Sequence, residues 1–136
     1  MKEFPLKIVT PDGVQYDGAA ESLTVRTTDG DVGILAGHIN YAASLGMGEA
    51  TIVIDGQKRF GACIGGMVFV TEGSVTLLPT TFEWADQINI DRVQASEQRA
   101  QEMLARKDVS NTEILLAQAR LKRALVRKGV ATHKRK

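Results

Sequence analysis

At 136 residues, 43% hydrophobic and 24% charged, the chain can bury a core, which excludes disorder throughout and bounds it to one domain with or without an appendage. Its single cysteine, Cys63, excludes an internal disulfide and fits a reducing compartment. The net charge of +1 conceals a split: residues 1–85 carry 5 basic and 10 acidic side chains, residues 86–136 carry 12 and 6, which points to a charged partner or a charged tail.

The charged opening Met1-Lys2-Glu3-Phe4-Pro5 does not read as a secretory signal, and no apolar run approaches the ~20 residues of a membrane helix. The first part of the chain reads as short strands. Leu6 and Ile8 alternate with Lys7 before the turn Pro11-Asp12-Gly13. Leu23 and Val25 follow, then the turn Asp29-Gly30 and the brief apolar step Ile34-Leu35. Ala50, Ile52 and Ile54 alternate up to Asp55-Gly56, a strong hairpin signal, and Phe60, Ala62 and Ile64 form the return. Met67 to Val70 is apolar on both faces, Glu72-Gly73 turns, and Val75 to Leu78 follows. Turns at intervals of about 8–12 residues predict a β-sandwich or barrel, and a last edge strand is predicted over Thr80 to Trp84. Cys63 falls within a strand as a small buried hydrophobe.

Beyond that edge strand, helical spacing begins at Asp91. Asp91-Arg92-Val93-Gln94 is a weak capping box, followed by Val93, Ala100, Met103 and Leu104 on one side. Arg106 and Lys107 suit the negative end of that helix dipole. The short connector around Asp108 predicts an antiparallel helix pair. The second helix is predicted from Val109 to Gly129. Ser110 and Glu113 form a capping box, Val109 and Ile114 a hydrophobic staple, and Gly129 a C′ stop. Ile114, Ala117, Leu121 and Leu125 form its expected apolar stripe. Arg120, Lys122, Arg123, Arg127 and Lys128 fill other faces, and no acidic residue occurs from Ile114 to the basic end Lys134-Arg135-Lys136.

Chemical signatures are missing from the sequence. It has no HExxH, paired CxxC, GxSxG or Walker A loop, and its two histidines and one cysteine make a poor zinc set. We therefore expect no active site and no metal site. Nucleic-acid binding by the basic helices is disfavoured, because they lack aromatic stacking residues and the acidic first part repels phosphate. A small β-sandwich enzyme ranks last among the alternatives.

Four stretches together resemble the epsilon subunits of bacterial F-type ATP synthases. They are Val9-Thr10-Pro11-Asp12-Gly13; Gly30-Asp31-Val32-Gly33-Ile34-Leu35-Ala36-Gly37-His38; Gly65-Gly66; and Ile90-Asp91. The likeness covers nearly the whole chain, and Gly-x-x-Gly-Ile-Leu-x-Gly-His is its most specific part. Ala36 departs from the family, which usually has proline there.

This resemblance implies an α+β chain: an antiparallel β-sandwich over residues 1–85 that binds the rotor, then a mobile, regulatory two-helix antiparallel hairpin over 86–136. It implies a non-catalytic central-stalk subunit, peripheral on the cytoplasmic face of the cell membrane, meeting the membrane only through its complex. The implied partners are the gamma subunit, the c-ring and the alpha and beta catalytic subunits. Asp31 falls where the family meets the c-ring, and His38, Ile39, Asn40 and Tyr41 fall on the region facing gamma. Arg120, Lys122, Arg123, Arg127 and Lys128 are the implied contacts to the acidic catalytic head.

No cofactor is required by the family, although some members bind regulatory ATP through Ile/Leu-Asp-x-x-Arg-Ala and helix arginines. Here Ile90, Asp91 and Ala95 match, but Gln94 stands at the arginine position, and Arg92 is displaced by two residues. Glu83, Arg99, Arg123 and Arg127 complete the implied set. Losing one charge-assisted contact removes ~1.5–3 kcal/mol, so weak or absent ATP binding is expected.

Overall fold

The period-two alternation of the first part builds ten strands in two five-stranded sheets. The computed structural model describes residues 2–133; the basic end Lys134-Arg135-Lys136 lies outside the described residues. In chain order the strands are β1 (Phe4–Thr10), β2 (Gly13–Ala20), β3 (Ser22–Thr27), β4 (Gly30–Leu35) and β5 (Tyr41–Ser44). β6 (Met47–Ile54), β7 (Gln57–Ile64), β8 (Met67–Thr71), β9 (Ser74–Leu78) and β10 (Thr81–Trp84) follow. The sheets run β2-β1-β9-β8-β5 and β10-β7-β6-β3-β4. The sandwich is antiparallel except at one seam, where β1 lies parallel to β9 with Leu6 beside Val75.

Inward residues of both sheets fill the space between them. Leu6, Ile8, Leu77 and Val68 from one sheet meet Leu23, Val25 and Ile52 from the other, all fully buried. Asp55-Gly56 has both residues at positive φ (51° and 76°), the backbone whose twist suits a two-residue hairpin. Glu72-Gly73 repeats it (48° and 84°). Gly65-Gly66, also at positive φ, carries the chain from β7 in one sheet to β8 in the other.

A 3-10 turn over Ala85–Gln87 leads into helices α1 (Ile90–Ala105) and α2 (Asn111–His133). They pack antiparallel, and α2 also lies on β6 and β7. Three sequence expectations are corrected here. First, α1 is capped by Asn89, whose side chain accepts from the Arg92 amide at 3.1 Å; Asp91 lies one residue inside the helix. Second, α2 starts at Asn111 and does not stop at Gly129, but continues to His133. Val130 and Ala131 beyond the glycine are buried. Burying a valine side chain contributes about 1.5–3 kcal/mol, which outweighs the ~1 kcal/mol cost of a helical glycine relative to alanine. Third, Leu125 is 50% exposed and leaves the expected stripe; the buried positions are Ala117, Ala124 and Ala131, one every second turn, with Val130.

The predicted Ser110–Glu113 capping box is present in both directions. The Glu113 amide donates to Ser110 Oγ at 3.1 Å, and the Ser110 amide donates to Glu113 Oε1 at 3.3 Å. Between hairpin and sandwich lies a second apolar cluster, separate from the sandwich core. Ala62, Ala85, Ile88 and Val93 meet Ala124, Val130 and Ala131 there, flanked by Phe60, Ile90 and Val126.

Candidate interaction surfaces

One surface lies at the end of the sandwich on β3, β4 and the loop after β4. Asp31 and Arg26 are cross-strand partners, and Arg26 Nε donates to Asp31 Oδ1 at 2.6 Å. Both side chains are more than half exposed, so solvent screens the pair and it adds little to stability. The Asp31 bond raises the Arg26 pKa further above its already high value, so the guanidinium stays charged. Asp31 is therefore a strand residue held out towards solvent. The adjacent turn is closed instead by Thr27, whose hydroxyl donates to the Gly30 carbonyl and accepts from the Asp29 amide.

The end of β4 and the loop beyond it present apolar side chains. Leu35 is 54% exposed and Ile39 77%. His38 and Tyr41 meet edge to face with ring centroids 5.8 Å apart, and His38 Nδ1 lies 2.8 Å from the Ile39 carbonyl. Asn40 is engaged within the chain: its side-chain oxygen accepts from the Glu72 amide at 2.8 Å and ties this loop to the β8–β9 turn. His38, Ile39, Asn40 and Tyr41 thus form one corner tied by Asn40, and Ile39 is its exposed apolar side chain.

The helices carry the second surface. Arg120 and Lys122 are exposed and Arg123 is half-buried. Arg127 and Lys128 are partly exposed but each is paired within the chain. Arg127 Nε donates to Glu83 Oε1 of β10 at 2.9 Å, and Lys128 Nζ to Glu97 Oε1 of α1 at 3.2 Å. His133 adds a third contact, Nδ1 lying 2.7 Å from Glu49 Oε2 of β6, with its ring tilted over Phe60 at 4.1 Å. Carboxylates from three different elements therefore meet the last two turns of α2. Glu49, Glu97 and His133 escape sequence reasoning, because no local spacing relates them to their partners.

The residues implied for ATP are only partly brought together. Glu83 and Arg127 touch, but as each other's partner. Ile90 is half-buried in the second apolar cluster, while Asp91, Ala95 and Arg99 are exposed. A cleft of about 230 Å³ does open beside the docked end of α2, between Lys58, Phe60, Asp86 and His133. Arg59 closes one side of it, its guanidinium 3.8 Å over the Trp84 ring. Cys63 is buried, and desolvation pushes its thiol up to about 12, so it stays protonated at neutral pH. Among the described residues no group of three or more His, Cys, Asp or Glu is placed to hold a metal ion. Nor, among them, is any helix long and apolar enough to cross a membrane.

These features define a class: a β-sandwich whose corner offers a charged and apolar patch, with a cationic helical hairpin docked on its side. The comparisons with known proteins agree. The family model for the beta-sandwich domain of the ATP synthase delta/epsilon chain matches residues 3–85, and that for its long alpha-helix domain matches residues 86–131. The ATP synthase epsilon chain of Ruminococcus albus is 42% identical over 98% of this chain and 100% of its own length. That of Bacillus licheniformis is 40% identical over 96% and 99%. A chain in the Euglena gracilis mitochondrial ATP synthase structure shares the fold, with TM-score 0.77 and 19% identity over 88% of this chain and 76% of that one. The chain belongs to the ATP synthase delta/epsilon chain family.

Proposed function

We propose that this chain is the non-catalytic central-stalk subunit that joins the gamma subunit to the c-ring of an F-type ATP synthase, and that its hairpin restrains ATP hydrolysis. The observation that carries the reading is family membership along both the sandwich and the helices. In this reading the chain is a peripheral component at the cytoplasmic face of the bacterial membrane. Asp31 meets the polar loops of the c-ring, while His38, Ile39 and Tyr41, positioned by Asn40, meet gamma.

Ile39 is the most testable of these residues, because its exposure means that substitution leaves the sandwich core untouched. Ile39→Asp should weaken co-purification with gamma by about tenfold, the equivalent of ~1.4 kcal/mol. Co-purification of the variant at the wild-type level would remove this corner from the interface.

In the regulatory cycle the hairpin alternates between two positions. Docked, Arg127 and Lys128 are neutralised within the chain. Extended, they join Arg120, Lys122 and Arg123 in facing carboxylates of the alpha and beta subunits. Exposed ion pairs are worth ~0–1 kcal/mol each, so the exchange is nearly balanced, and a partner or ligand biases it only by differential affinity.

ATP is at most a weak ligand of the docked form. Its phosphates would compete with Glu83 for Arg127, and Gln94 supplies no charge. Calorimetric titration of the full chain should detect no submicromolar binding, and Gln94→Arg should tighten any affinity by roughly one to two decades. Submicromolar binding by the unmodified chain would overturn this assignment.

A further inference from the structure

The buried anchorage of the hairpin on the sandwich is uneven along α2. In the first half of the helix Ala117 is the buried residue, whereas Ala124, Val130 and Ala131 all enter the apolar cluster shared with Ala62 of β7. The chain then ends its described course at His133, over Phe60 and against Glu49. His133 Nδ1 lies 2.7 Å from Glu49 Oε2 but is not aligned with it as a hydrogen bond, so the contact is one of proximity between a half-buried ring and a carboxylate. Immediately before this anchor stands Gly129, an exposed glycine inside the helix, whose added Cβ would meet nothing within 4 Å. It is the weakest helical position in α2 by intrinsic propensity.

We propose that the last turn of α2, Val130 to His133, is the latch of the docked hairpin: its seating on β6 and β7 holds the helices down, and Gly129 is the joint at which it detaches. This rests on the two-position hairpin proposed above and adds where that hairpin is held. α2 also packs against α1, so the helices can leave the sandwich as a pair once the terminal turn lets go and Ala124 and the Arg127–Glu83 pair follow it. The ion pairs at Arg127 and Lys128 lie just inside the joint and remain to be exchanged after it opens.

The test uses the full chain with Trp84, its one tryptophan, as energy-transfer donor to an acceptor dye on Gln118→Cys. Buried, protonated Cys63 stays unlabelled. Val130→Asp should raise the released population at least tenfold, seen as lost transfer, while the sandwich keeps its circular dichroism. In a second arm, the thiol of Ala131→Cys reports opening of the latch itself. Adding Gly129→Ala should slow its modification about fivefold, because alanine strengthens the helix without a new contact. Wild-type transfer in Val130→Asp, or an unchanged modification rate with Gly129→Ala, would overturn the proposal. Hydrolysis by the reconstituted synthase is read separately. If Val130→Asp releases the hairpin without changing hydrolysis, the latch stands and the inhibitory reading falls.

Discussion

Replacing Gly66 by alanine should lower the thermal midpoint of the chain by roughly 10–20 °C, equivalent to about 3–5 kcal/mol. A Cβ on Gly66 would lie 2.0 Å from the Leu78 carbonyl oxygen and 2.7 Å from Pro79 Cα. Both atoms are backbone, so no side-chain rotation relieves the clash. The residue also sits at φ 99°, outside the conformations that alanine adopts without strain. Its carbonyl accepts from the Leu45 amide at 2.8 Å, so moving the corner breaks a bond between connections as well. Gly73→Ala is the control. It shares a positive φ but has nothing within 4 Å of the added Cβ, and it should cost about 1–2 kcal/mol. Equal losses for the two variants, measured by calorimetry, would show that backbone conformation and not the close approach to Leu78 sets the requirement for glycine.

Deleting the residues after Lys107 should leave assembly intact and relieve inhibition of ATP hydrolysis by roughly fivefold or more, the factor that a bias of 1 kcal/mol or above produces. The core between the two sheets contains no residue of α2, so it stays filled without the helix. The corner with Asp31 and Ile39 is likewise built entirely from strands and their connections. What the deletion removes is the cover over Ala62, Ala85, Ile88 and Val93, together with every cation implied in reaching the catalytic head. Reconstituted enzyme with the shortened chain is compared with enzyme carrying the full chain. Equal hydrolysis rates in the presence of equal bound subunit would argue against an inhibitory arm.

Much of the sandwich was legible because its strands advertise themselves. Leu23 and Val25, or Ala50 and Ile52, alternate with polar neighbours, and Asp55-Gly56 names its own turn. β2 and β5 were not legible. β2 buries only Ala20 and β5 buries no residue fully, and each lies at an edge of its sheet, so neither needs an apolar period. Their pairing is set by neighbouring strands. The Ser110–Glu113 box was readable because both partners are local. The end of α2 was not, because the cover that Ala62 and Phe60 give Val130 and Ala131 decides it against the local glycine signal. The same distinction governs the surfaces. Asp31 and Ile39 lie close together in one stretch of sequence, although Asp31 falls in a strand and not in a loop, whereas the ion pairs of Arg127 and Lys128 join residues 44 and 31 positions apart.

The parallel seam between β1 and β9 bears on biosynthesis. β1 can pair with β2 as soon as both have left the ribosome, but its other edge waits for Ser74–Leu78 to be made. Until then, unsatisfied amides and carbonyls of Leu6 to Ile8 form an open ribbon able to recruit foreign strands. Closing so long a loop is entropically slow relative to forming the hairpins within it. Maturation of the sandwich is therefore a late event on the translating chain, and premature termination ahead of Ser74 would release an aggregation-prone fragment.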